Sequence, residues 1–449
     1  MRHDNVDPVQ RVRSAVQRAL ARRVPAETTI AVALSGGRDS VVLFDALCAI
    51  APAHGHPLQA IHVHHGLSPH ASDWQRFCEE LCIARGVPLT VRPVNVPRRA
   101  QASLEDDARR LRYAALADAA HAIDAPFVAL AHHRDDQAET LVLQLLRGAG
   151  PHGLAAMSDV RDDERGLTWW RPLLDISGAT IDAYATAAAL QWVDDESNAN
   201  TRHRRNAVRH KVMPVLDEVV PDASATLARA ASHQAEAARL ADDLAALDAA
   251  SAYANRTLDR AALAALPGYR ARNLLRWFLR QQDLPAPSTA RLAAMLVQLT
   301  QARSDARVRL AHAGVELGVH RGRIVVHAPP SPAFAVTWDI DAELALPHGR
   351  LIATRVEGDG ADLRRIGNAT LTVRSREGGE RLSLGPNRPH RALKVILQDA
   401  GMPAWDRQSL PLVYCGADLV IVPGIGVAAE WQCAAGAPGI AVAWHRAAN

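Results

Sequence analysis

The stretch TTIAVALSGGRDSVVLFDAL, from Thr28 to Leu47, joins two apolar segments through six small or polar residues. The first segment has the continuous apolar character of a buried parallel strand, and the second has apolar residues at helical spacing. Gly36 and Gly37 carry no Cβ, so the backbone there can adopt positive φ and approach a ligand closely. The N–H groups at the start of the following helix favour an anion. We therefore predict that Ser35–Ser40 is a phosphate-binding loop.

The composition of this loop differs from that of the two common nucleotide-binding loops. A Walker loop requires a lysine, and a dinucleotide loop requires a third spaced glycine, whereas Asp39 stands here. A carboxylate beside phosphates needs a cation between them, so Asp39 is predicted to bind Mg²⁺. The hydroxyls of Ser35 and Ser40 add donors, and Arg38 is predicted either to touch phosphate or to face solvent. The alternative is an ordinary Ser-Gly-Gly turn.

The first 200 residues alternate short β-rich runs with helical patterns, which predicts an α/β fold with a doubly wound, mostly parallel sheet. The predicted strands lie in TTIAVAL, LQAIHVHH, LTVRPV and FVALAHH. From about Pro214 helical spacing dominates, and a proline-rich segment at His327–Phe334 precedes strands that flank one helix. We predict a catalytic domain at 1–216, a mainly helical domain at 217–330 and a small α+β domain at 345–449.

The composition excludes several classes of protein. The chain has 449 residues, a net charge of +3 and a 48% hydrophobic fraction, which is normal for a globular protein of two or three domains. No apolar run is long enough to span a membrane, and the N-terminus has no signal-peptide pattern, so a cytoplasmic protein without membrane contact is expected. The five cysteines form no CxxC pair, and Cys78 and Cys82 have no second pair with which to bind zinc.

The segment AHHRDDQAET follows the fourth predicted strand and holds histidines and carboxylates. His132 and Asp136 are four residues apart and share one face of a predicted helix, as do Asp135 and Glu139. We expect them to border the same crevice as the phosphate loop, because parallel strands end at one edge of the sheet. A helix-capping aspartate pair is one alternative. A zinc site is the other, although oxygen-rich phosphate sites usually hold Mg²⁺; its ligands would be drawn from His62, His64, His65, His132 and His133.

Basic residues cluster in TRHRRNAVRHK, near the end of the predicted catalytic domain. Charged runs usually mark a solvated helix face, but this density beside a predicted crevice favours binding of a polyanion. The cluster consists of Arg202, Arg204, Arg205, Arg209 and Lys211. By pattern alone, Arg112 in EDDARRLRYAAL is an ordinary surface residue of an amphipathic helix.

SGGRDS resembles the SGGxDS signature of the ATP pyrophosphatases (PP-loop enzymes), which split ATP into AMP and pyrophosphate. Three further segments, in the same order, resemble the tRNA(Ile)-lysidine synthetase family: HVHHGLSPHASDW (His62–Trp74), AHHRDDQAETLVLQLLRGAGPHGLAAM (Ala131–Met157) and DDESNANTRHRRNAVRHKVMPVL (Asp194–Leu216). The C-terminal RALKVILQDAGMPAWDRQSLPLVY and VPGIGVAAEW resemble the last domain of that family. The similarity spans nearly the whole chain and is weakest between about 220 and 330.

The resemblance implies a two-step reaction on the first anticodon base of tRNA(Ile) with a CAU anticodon. ATP adenylates the C2 oxygen of the cytidine and releases pyrophosphate, and the ε-amine of L-lysine then attacks C2 and expels AMP. The implied catalytic residues are Asp39, Arg112, His132, Asp136 and Arg205. The two arginines would stabilise charge during adenylation, and His132 or Asp136 would bind the amine or take its proton. Asn206, Arg209 and Lys211 are predicted to bind the tRNA.

Three other functions are compatible with parts of the pattern. A thiolating PP-loop enzyme shares the loop and a tRNA substrate, but such enzymes commonly use paired cysteines near the site, and the sequence has none. A histidine-rich, metal-dependent phosphoesterase is a different class. A non-catalytic tRNA-binding protein would have no use for an adenylation loop. The sequence does not fix the oligomeric state, and a homodimer is one option.

Overall fold

A computed structural model gives the fold of the chain and describes residues 7–64, 66, 68–95, 104–196, 200–301, 308–330, 332–347, 349–386 and 388–446. Contacts between residues divide the chain into two compact units, Met1–Leu240 and Ala241–Asn449. The division into three domains, with boundaries near 216, 330 and 345, stays a prediction.

The first unit is an α/β fold whose elements follow the alternation seen in the sequence. Its strands are β1 (Ile30–Ala33), β2 (Leu58–His64), β3 (Leu89–Pro93), β4 (Phe127–Ala129), β5 (Val160–Asp162) and β6 (Thr168–Trp170). Its helices are α1 (Pro8–Arg23), α2 (Arg38–Ile50), α3 (Ala71–Arg85), α4 (Leu104–Ala122), α5 (Arg134–Leu146), α6 (Pro151–Leu154), α7 (Gly178–Ala187), α8 (Arg204–Ala207) and α9 (Met213–Val219). Helix α10 (Ala223–Ala252) contains the boundary between the units.

The six strands of this unit form one sheet in the order β3-β2-β1-β4-β6-β5. All neighbouring strands are parallel except β5, which runs antiparallel to β6. The predicted mostly parallel, doubly wound sheet is therefore confirmed. The chain builds β1, β2 and β3 in one direction and then returns to place β4 on the other side of β1. Such a reversal leaves a crevice at the carboxyl ends of β1 and β4, where ligands bind in open α/β sheets.

Both faces of the sheet are covered, which explains why β1 reads as a continuous apolar run. Ile30 and Val32 pack into a core with helix α2, whereas Ala31 between them packs into a second core with helix α4. Successive side chains of a strand point to opposite faces, so a strand between two layers of helices needs apolar residues at every position. All three residues are fully buried.

The second unit begins with a mixed region in which helices accompany an antiparallel sheet. Its strands are β7 (Tyr253–Ala254), β8 (Thr257–Asp259), β9 (Arg309–His312), β10 (Val315–His320) and β11 (Arg323–His327), in the order β7-β8-β11-β10-β9. Its helices are α11 (Arg260–Ala265), α12 (Gly268–Arg280) and α13 (Thr289–Gln301). Helix α12 buries Leu274, Leu275 and Phe278 on one face, as its helical spacing predicts.

The remainder of the second unit is mostly β. Its strands are β12 (Ala335–Trp338), β13 (Leu344–Leu346), β14 (Gly349–Glu357), β15 (Ala361–Asp362), β16 (Leu371–Arg374), β17 (Arg381–Leu382), β18 (Arg391–Ala392), β19 (Leu412–Cys415), β20 (Asp418–Val422), β21 (Gly426–Val427) and β22 (Pro438–Arg446). Its helices are α14 (Leu363–Ile366), α15 (Leu393–Asp399) and α16 (Ala404–Ser409). The predicted helix in RALKVILQDAG and the strands on either side of it are present.

Trp405 on α16 packs against the sheet that contains β10 and β11. Its ring lies parallel to that of His327, with the centroids 4.2 Å apart. Gly318 lies below the same ring, where a Cβ would come within 2.5 Å of Trp405. The imidazole Nε2 of His320 is 3.0 Å from the carbonyl oxygen of Gly401. These contacts join the helical middle region to the β-rich C-terminal region within one compact unit.

Candidate active site

A cavity of about 610 Å³ lies where strands β1 and β4 end. The phosphate loop follows β1 and the segment AHHRDD follows β4, so the parallel topology brings these two motifs to one place. The predicted site residues that line the cavity are Ser35, Gly37, Arg38, Asp39, Ser40, Arg112, His132, Asp136 and Arg209. Apolar side chains such as Ile61, Val63 and Leu130 line the rest of the wall.

The loop Ser35–Ser40 holds its shape by internal hydrogen bonds. The Ser40 hydroxyl donates to the carbonyl oxygen of Gly37 at 2.8 Å and lies 3.0 Å from the Ser35 hydroxyl. The N–H of Gly37 donates to Ser35 Oγ at 3.3 Å. Both hydroxyl protons are thus used inside the loop. No side chain of the described residues caps helix α2, which leaves its first N–H groups to bind an anion.

Gly36 is required at its position for two physical reasons. Its φ is +88°, a conformation that side chains with a Cβ rarely adopt. A Cβ on Gly36 would also lie 2.9 Å from Val193 Cγ2 and 3.3 Å from Cys78 Sγ. Gly36 is not among the residues that line the cavity, so it shapes the loop from behind.

Asp39 has a positively charged or proton-donating neighbour on each side. Arg38 Nε donates to Asp39 Oδ1 at 2.9 Å, and His133 Nε2 lies 3.5 Å from Asp39 Oδ2. Burial raises the pKa of Asp39, but His133 and Arg38 outweigh it and lower the pKa below its ordinary value. Asp39 is therefore an anion throughout the neutral range. Arg38 also pairs with Asp182, so its guanidinium is held by two carboxylates and is not free in solvent.

Asp136 and Glu139 project from helix α5 and are neutralised by two arginines from the later segment TRHRRNAVRHK. Arg205 reaches Asp136 at 2.8 Å and Glu139 at 3.0 Å. Arg209 reaches Asp136 at 3.0 Å and Glu139 at 2.6 Å. Both carboxylates are buried, with Glu139 only 2% exposed. We call these four residues the ion-pair square.

A turn of π-helix at Val208–Val212 contains Arg209 and follows directly on helix α8, which contains Arg205. Single π-helical turns occur frequently at functional sites. Arg205 and Arg209 are four residues apart, and their guanidinium groups converge on the same two carboxylates across about 70 residues of chain. Two residues of the basic cluster, Arg205 and Arg209, therefore neutralise buried carboxylates and do not belong to a solvated face.

His133 caps helix α5 and fixes the geometry of its first turn. Its Nδ1 accepts from the N–H of Asp135 at 3.3 Å, and its own N–H donates to Asp136 Oδ2 at 3.0 Å. Burial lowers the pKa of His133, whereas the hydrogen bond to Asp39 and the charge of Asp136 raise it, with a net increase. The two side chains form a capping box, in which His133 accepts from the helix backbone and Asp136 accepts from the backbone of His133. Helix capping by an aspartate, the alternative named for this segment, is thus present at Asp136.

His132 and Arg112 line the cavity and differ from the ion-pair square in their lack of described ion-pair partners. The Nδ1 atom of His132 is buried and has no hydrogen-bond partner among the described residues. Burial lowers the pKa of His132 to about 3, so its imidazole is neutral at physiological pH. Among the residues that the structure describes, Arg112 forms no ion pair with a carboxylate. The cavity wall thus includes the neutral imidazole of His132 and, within the described part of the chain, an arginine without a carboxylate partner.

The three residues predicted to bind tRNA have different surroundings. Arg209 belongs to the ion-pair square, and the Asn206 amide donates to the carbonyl oxygen of Asn200 at 3.1 Å. Lys211 is exposed. Arg205 and Asn206 are not among the residues that line the cavity. Arg205 nevertheless contacts Asp136, which does line it.

The sequence does not single out His133 or Tyr113 as site residues. Asp135 and Glu139, expected to border the crevice, are not among the residues that line the cavity. Glu139 shares a helix face with Asp135 by its four-residue spacing, but that pattern does not reveal a partner 66 residues away. His133 was considered only as a zinc ligand, although it stands directly before a helix, where a side chain that accepts hydrogen bonds can cap it. Tyr113 follows Arg112 in the sequence and lines the cavity beside it.

The residues present fit Mg²⁺ better than zinc. Within the described ranges, no three His, Cys, Asp or Glu side chains group as a metal site. His62 is engaged with the carbonyl oxygen of Leu34 at 2.9 Å, and His65 lies outside the described residues. Mg²⁺ commonly takes one or two carboxylates and completes its shell with phosphate oxygens and water. The Asp39 carboxylate beside the phosphate loop matches that requirement.

The cysteines near the loop have unreactive, protonated thiols. Burial raises the pKa of Cys78 to about 12 and that of Cys82 to about 11, so both thiols stay protonated at neutral pH. The thiolate is the reactive form of cysteine, and these positions lack it. The thiolating alternative is therefore not favoured.

No helix in the described part of the chain is both long and apolar enough to cross a membrane.

Comparison with known proteins gives the same assignment over almost the whole chain. Residues 9–216 match a PP-loop domain, residues 258–325 a TilS substrate binding domain and residues 371–444 a TilS substrate C-terminal domain. The tRNA(Ile)-lysidine synthase of Nitrosomonas europaea is 41% identical over 423 residues, covering 93% of this chain and 92% of that protein. That of Azoarcus sp. is 41% identical over 414 residues, covering 92% and 90%. With the loop, the cavity and three family domains in the same order, the chain belongs to the tRNA(Ile)-lysidine synthase family.

Proposed function

We propose that this chain joins L-lysine to C2 of the wobble cytidine of tRNA(Ile) with a CAU anticodon, while ATP is converted to AMP and pyrophosphate. Membership of the family supports the reaction, and the PP-loop match supports the use of ATP. The observation that carries the proposal is the convergence on one cavity of the phosphate loop, an arginine without a described carboxylate partner and the buried carboxylate of Asp136. The reaction needs an anion site, positive charge for adenylation and a site for an amine, and this cavity offers a candidate for each.

The loop would hold the phosphates of ATP through the N–H groups at the start of helix α2, since the hydroxyls of Ser35 and Ser40 are engaged in shaping it. Asp39 would bind Mg²⁺, which offsets charge between that carboxylate and the phosphates. Arg38 keeps Asp39 oriented from one side and His133 from the other. Gly37 lines the cavity and lets the backbone approach the phosphates, whereas Gly36 supplies the positive φ that the loop requires.

In the first step the C2 oxygen of the cytidine bonds to the α-phosphorus of ATP and the bond to pyrophosphate breaks. Negative charge grows on the α-phosphate oxygens, and Arg112 is the cavity arginine whose charge is not already neutralised. A guanidinium can stabilise that charge through paired hydrogen bonds. Arg205 was predicted to share this role. Its contacts support a different one, in which it holds Asp136 and Glu139 in position.

In the second step the lysine ε-amine bonds to C2, the C2–O bond breaks and AMP leaves. The amine must lose its proton before attack, so a base has to lie near it. Asp136 is the carboxylate on the cavity wall, and neutral His132 beside it has an unpartnered ring nitrogen. We assign binding of the charged amine to Asp136. The proton passes to water rather than to His132, because an imidazole with a pKa of about 3 is too weak a base to hold it. Arg209 would exchange part of its contact with Asp136 for the incoming ligand.

Binding of the tRNA by Asn206, Arg209 and Lys211 stays part of the proposal. Lys211 is exposed and free to meet a phosphate, whereas Arg209 is held by Glu139 and Asp136. We therefore expect Lys211 to contribute to tRNA affinity and Arg209 to the arrangement of the site. The cytoplasmic location and the homodimer expected from the sequence stay predictions, the second open to measurement by sedimentation.

The deciding experiment incubates purified protein with tRNA carrying CAU, ATP, Mg²⁺ and labelled lysine. Incorporation of label, with a nucleoside mass increased by lysine, is the expected result. A tRNA whose anticodon begins with another base is the matched control and should stay unlabelled. A product carrying sulfur would identify a thiolating enzyme instead. Binding of tRNA without any change in its mass would leave only an RNA-binding protein.

A further inference from the structure

Four arginines surround a single tyrosine beside the cavity. The guanidinium carbon of Arg109 lies 5.4 Å from the ring centroid of Tyr113, and that of Arg161 lies 5.9 Å from it. Arg171 lies close enough to Tyr113 for the two side chains to influence each other's charge, and its guanidinium donates to the carbonyl oxygen of Ser158 at 2.8 Å. Arg112 precedes Tyr113 on helix α4. We call these four arginines the arginine collar. Its members come from α4, β5 and the residue that follows β6, so the fold and not the sequence brings them together.

The collar lacks carboxylate partners among the side chains that the structure describes. Among the described residues, none of its four arginines forms an ion pair with a carboxylate. Arginines at adjacent or nearby positions do: Arg110 pairs with Asp107 at 3.1 Å, and Arg165 pairs with Asp118 at 2.8 Å. Burial lowers the pKa of Arg171, and the charges of Arg161 and Arg109 lower it further. Like charges placed this close repel one another, and a bound polyanion would relieve that repulsion.

The tyrosine acts as a fixed platform for these charges. Its ring lies 4.8 Å from that of Trp169, which is 2% exposed and belongs to the core. Arg109 and Arg161 lie over the same ring within cation–π distance, so the ring is not available to stack on a nucleobase. What the collar offers a ligand is therefore the guanidinium N–H groups of Arg109, Arg112 and Arg161, which are exposed and match phosphate oxygens. Arg171 is only 5% exposed and meets no ligand directly.

The collar extends from the inside of the cavity to the outer surface. Arg112 and Tyr113 line the cavity, whereas Arg109 and Arg161 lie outside its wall; all three arginines are exposed. A single ATP bound at the phosphate loop would need only the inner part. A chain of phosphates that enters from the surface and delivers a base into the cavity would use both parts.

We propose that the arginine collar binds successive backbone phosphates of the single-stranded RNA loop that presents the target base. The proposal rests on the proposed function, because it assumes that an RNA base enters this cavity. Arg109 and Arg161 hold phosphates at the rim, and Arg112 completes the path at the reacting end. Arg109 and Arg161 thus set the position of the strand, whereas Arg112 keeps the role in adenylation proposed above.

The test compares two double variants that remove the same charge from neighbouring positions. Arg109→Gln with Arg161→Gln removes the outer collar, whereas Arg110→Gln with Arg165→Gln removes two arginines that already have carboxylate partners. For each protein, tRNA affinity is measured by filter binding between about 50 and 200 mM salt, a range over which phosphate contacts show clearly. ATP affinity is measured by equilibrium dialysis without tRNA, and the single-turnover rate of lysidine formation is measured at saturating tRNA.

The collar variant should bind tRNA about tenfold more weakly, with a log–log salt slope smaller by about 1.4, because each contact to a single strand contributes about 0.7. Its ATP affinity and its rate at saturating tRNA should equal those of the wild type. The control variant should differ from the wild type by less than twofold in affinity. Weaker ATP binding with unchanged tRNA binding would overturn the proposal and assign the arginines to the nucleotide. Equal affinities and slopes in the two variants would also overturn it.

The same measurements separate this proposal from the proposed function. A wild-type protein that makes no lysidine, but loses salt-dependent tRNA binding in the collar variant, would overturn the reaction and leave the RNA surface standing. If the wild type makes lysidine but the collar variant binds tRNA as tightly as the wild type does, the collar proposal is overturned and the reaction stands.

Discussion

Whether a charged side chain in the cavity already has a counter-charge decides what it can do there. Asp136 and Glu139 are balanced by Arg205 and Arg209, and these contacts hold the carboxylates in fixed orientations. Arg112 has no such partner among the described residues and keeps its full charge for a ligand. The difference separates residues that organise the site from the residue best suited to meet a phosphate.

The Asp39→Asn variant should fold normally and form no detectable lysidine. The substitution keeps the volume of the side chain but removes the negative charge that a cation beside the phosphates requires. Activity with labelled lysine and the melting temperature are the two measurements. Asp182→Asn is the matched control, since it removes a carboxylate that also pairs with Arg38 but lies 55% exposed at the surface. Wild-type activity in Asp39→Asn would rule out the charge as an organiser of the site.

His132 should make the fold sensitive to acid. Its pKa is about 3 in the folded chain and about 6.5 when unfolded, so between these values the unfolded state binds more protons. Stability is therefore lost as the pH falls from about 6.5 towards 3. His132→Gln should show a smaller drop in melting temperature between about pH 7 and 4, whereas His54→Gln, at an exposed position, should behave like the wild type. Equal acid sensitivity in wild type and His132→Gln would contradict a neutral, buried imidazole.

At the scale of elements, the site depends on helix α5 and the helical segment 204–219 being joined through charge. Helix α5 presents Asp136 and Glu139, three residues apart on one face, and the later segment presents Arg205 and Arg209, four residues apart. Each arginine contacts both carboxylates. Such a two-by-two arrangement fixes the relative rotation of the two helical segments, because turning either one breaks two contacts at once.

Glu139→Gln should destabilise the first unit by about 1–3 kcal/mol, because two partly buried guanidinium groups would lose a charged partner. The lower part of the range reflects the solvent that still reaches Arg205 and Arg209, whose side chains are 22% and 35% exposed. Urea unfolding measures the change. Glu343→Gln, in an exposed pair with Arg350, should cost less than about 1 kcal/mol. Equal costs for the two variants would mean that the ion-pair square adds nothing beyond a surface contact.

The parts of the site that the sequence predicts are those whose physics is local. Glycines, hydroxyls and a carboxylate between an apolar strand and an apolar helix specify the loop by themselves, and the order of apolar runs predicts the sheet. The partner of Glu139 is 66 residues away and the collar spans three elements, so their contacts depend on tertiary packing that no spacing encodes. The strands β7 and β8 are not predicted from the sequence, because segments of two or three residues are too short to show the alternation of apolar and polar side chains typical of a strand.

At the scale of the whole molecule, the proposed chemistry requires the tRNA before ATP can react. The ATP held by the loop needs an oxygen nucleophile, and the proposed nucleophile belongs to the cytidine. The lysine amine has nothing to attack until that oxygen is adenylated. Binding sites for both substrates on one cavity do not change this order.

Pyrophosphate exchange with ATP should therefore be absent with lysine alone and should appear when tRNA is present. Exchange is measured with labelled pyrophosphate, with and without each substrate. The tRNA with a different first anticodon base serves again as the control and should support no exchange. A strong exchange that depends on lysine without tRNA would show that the amino acid is activated instead, and the assignment of Arg112 to the adenylation step would fail.

The packing of Trp405 on His327 and above Gly318 has a thermodynamic consequence for the second unit. Residues 258–325 and 371–444 match separate family domains, yet they share contacts that neither can satisfy alone. Heating should therefore melt them in one calorimetric transition, with equal van't Hoff and calorimetric enthalpies for that transition. Trp405→Ala should split the transition into two steps. In evolutionary terms, two modules joined by such an aromatic contact are free to vary in sequence but not to be exchanged one at a time.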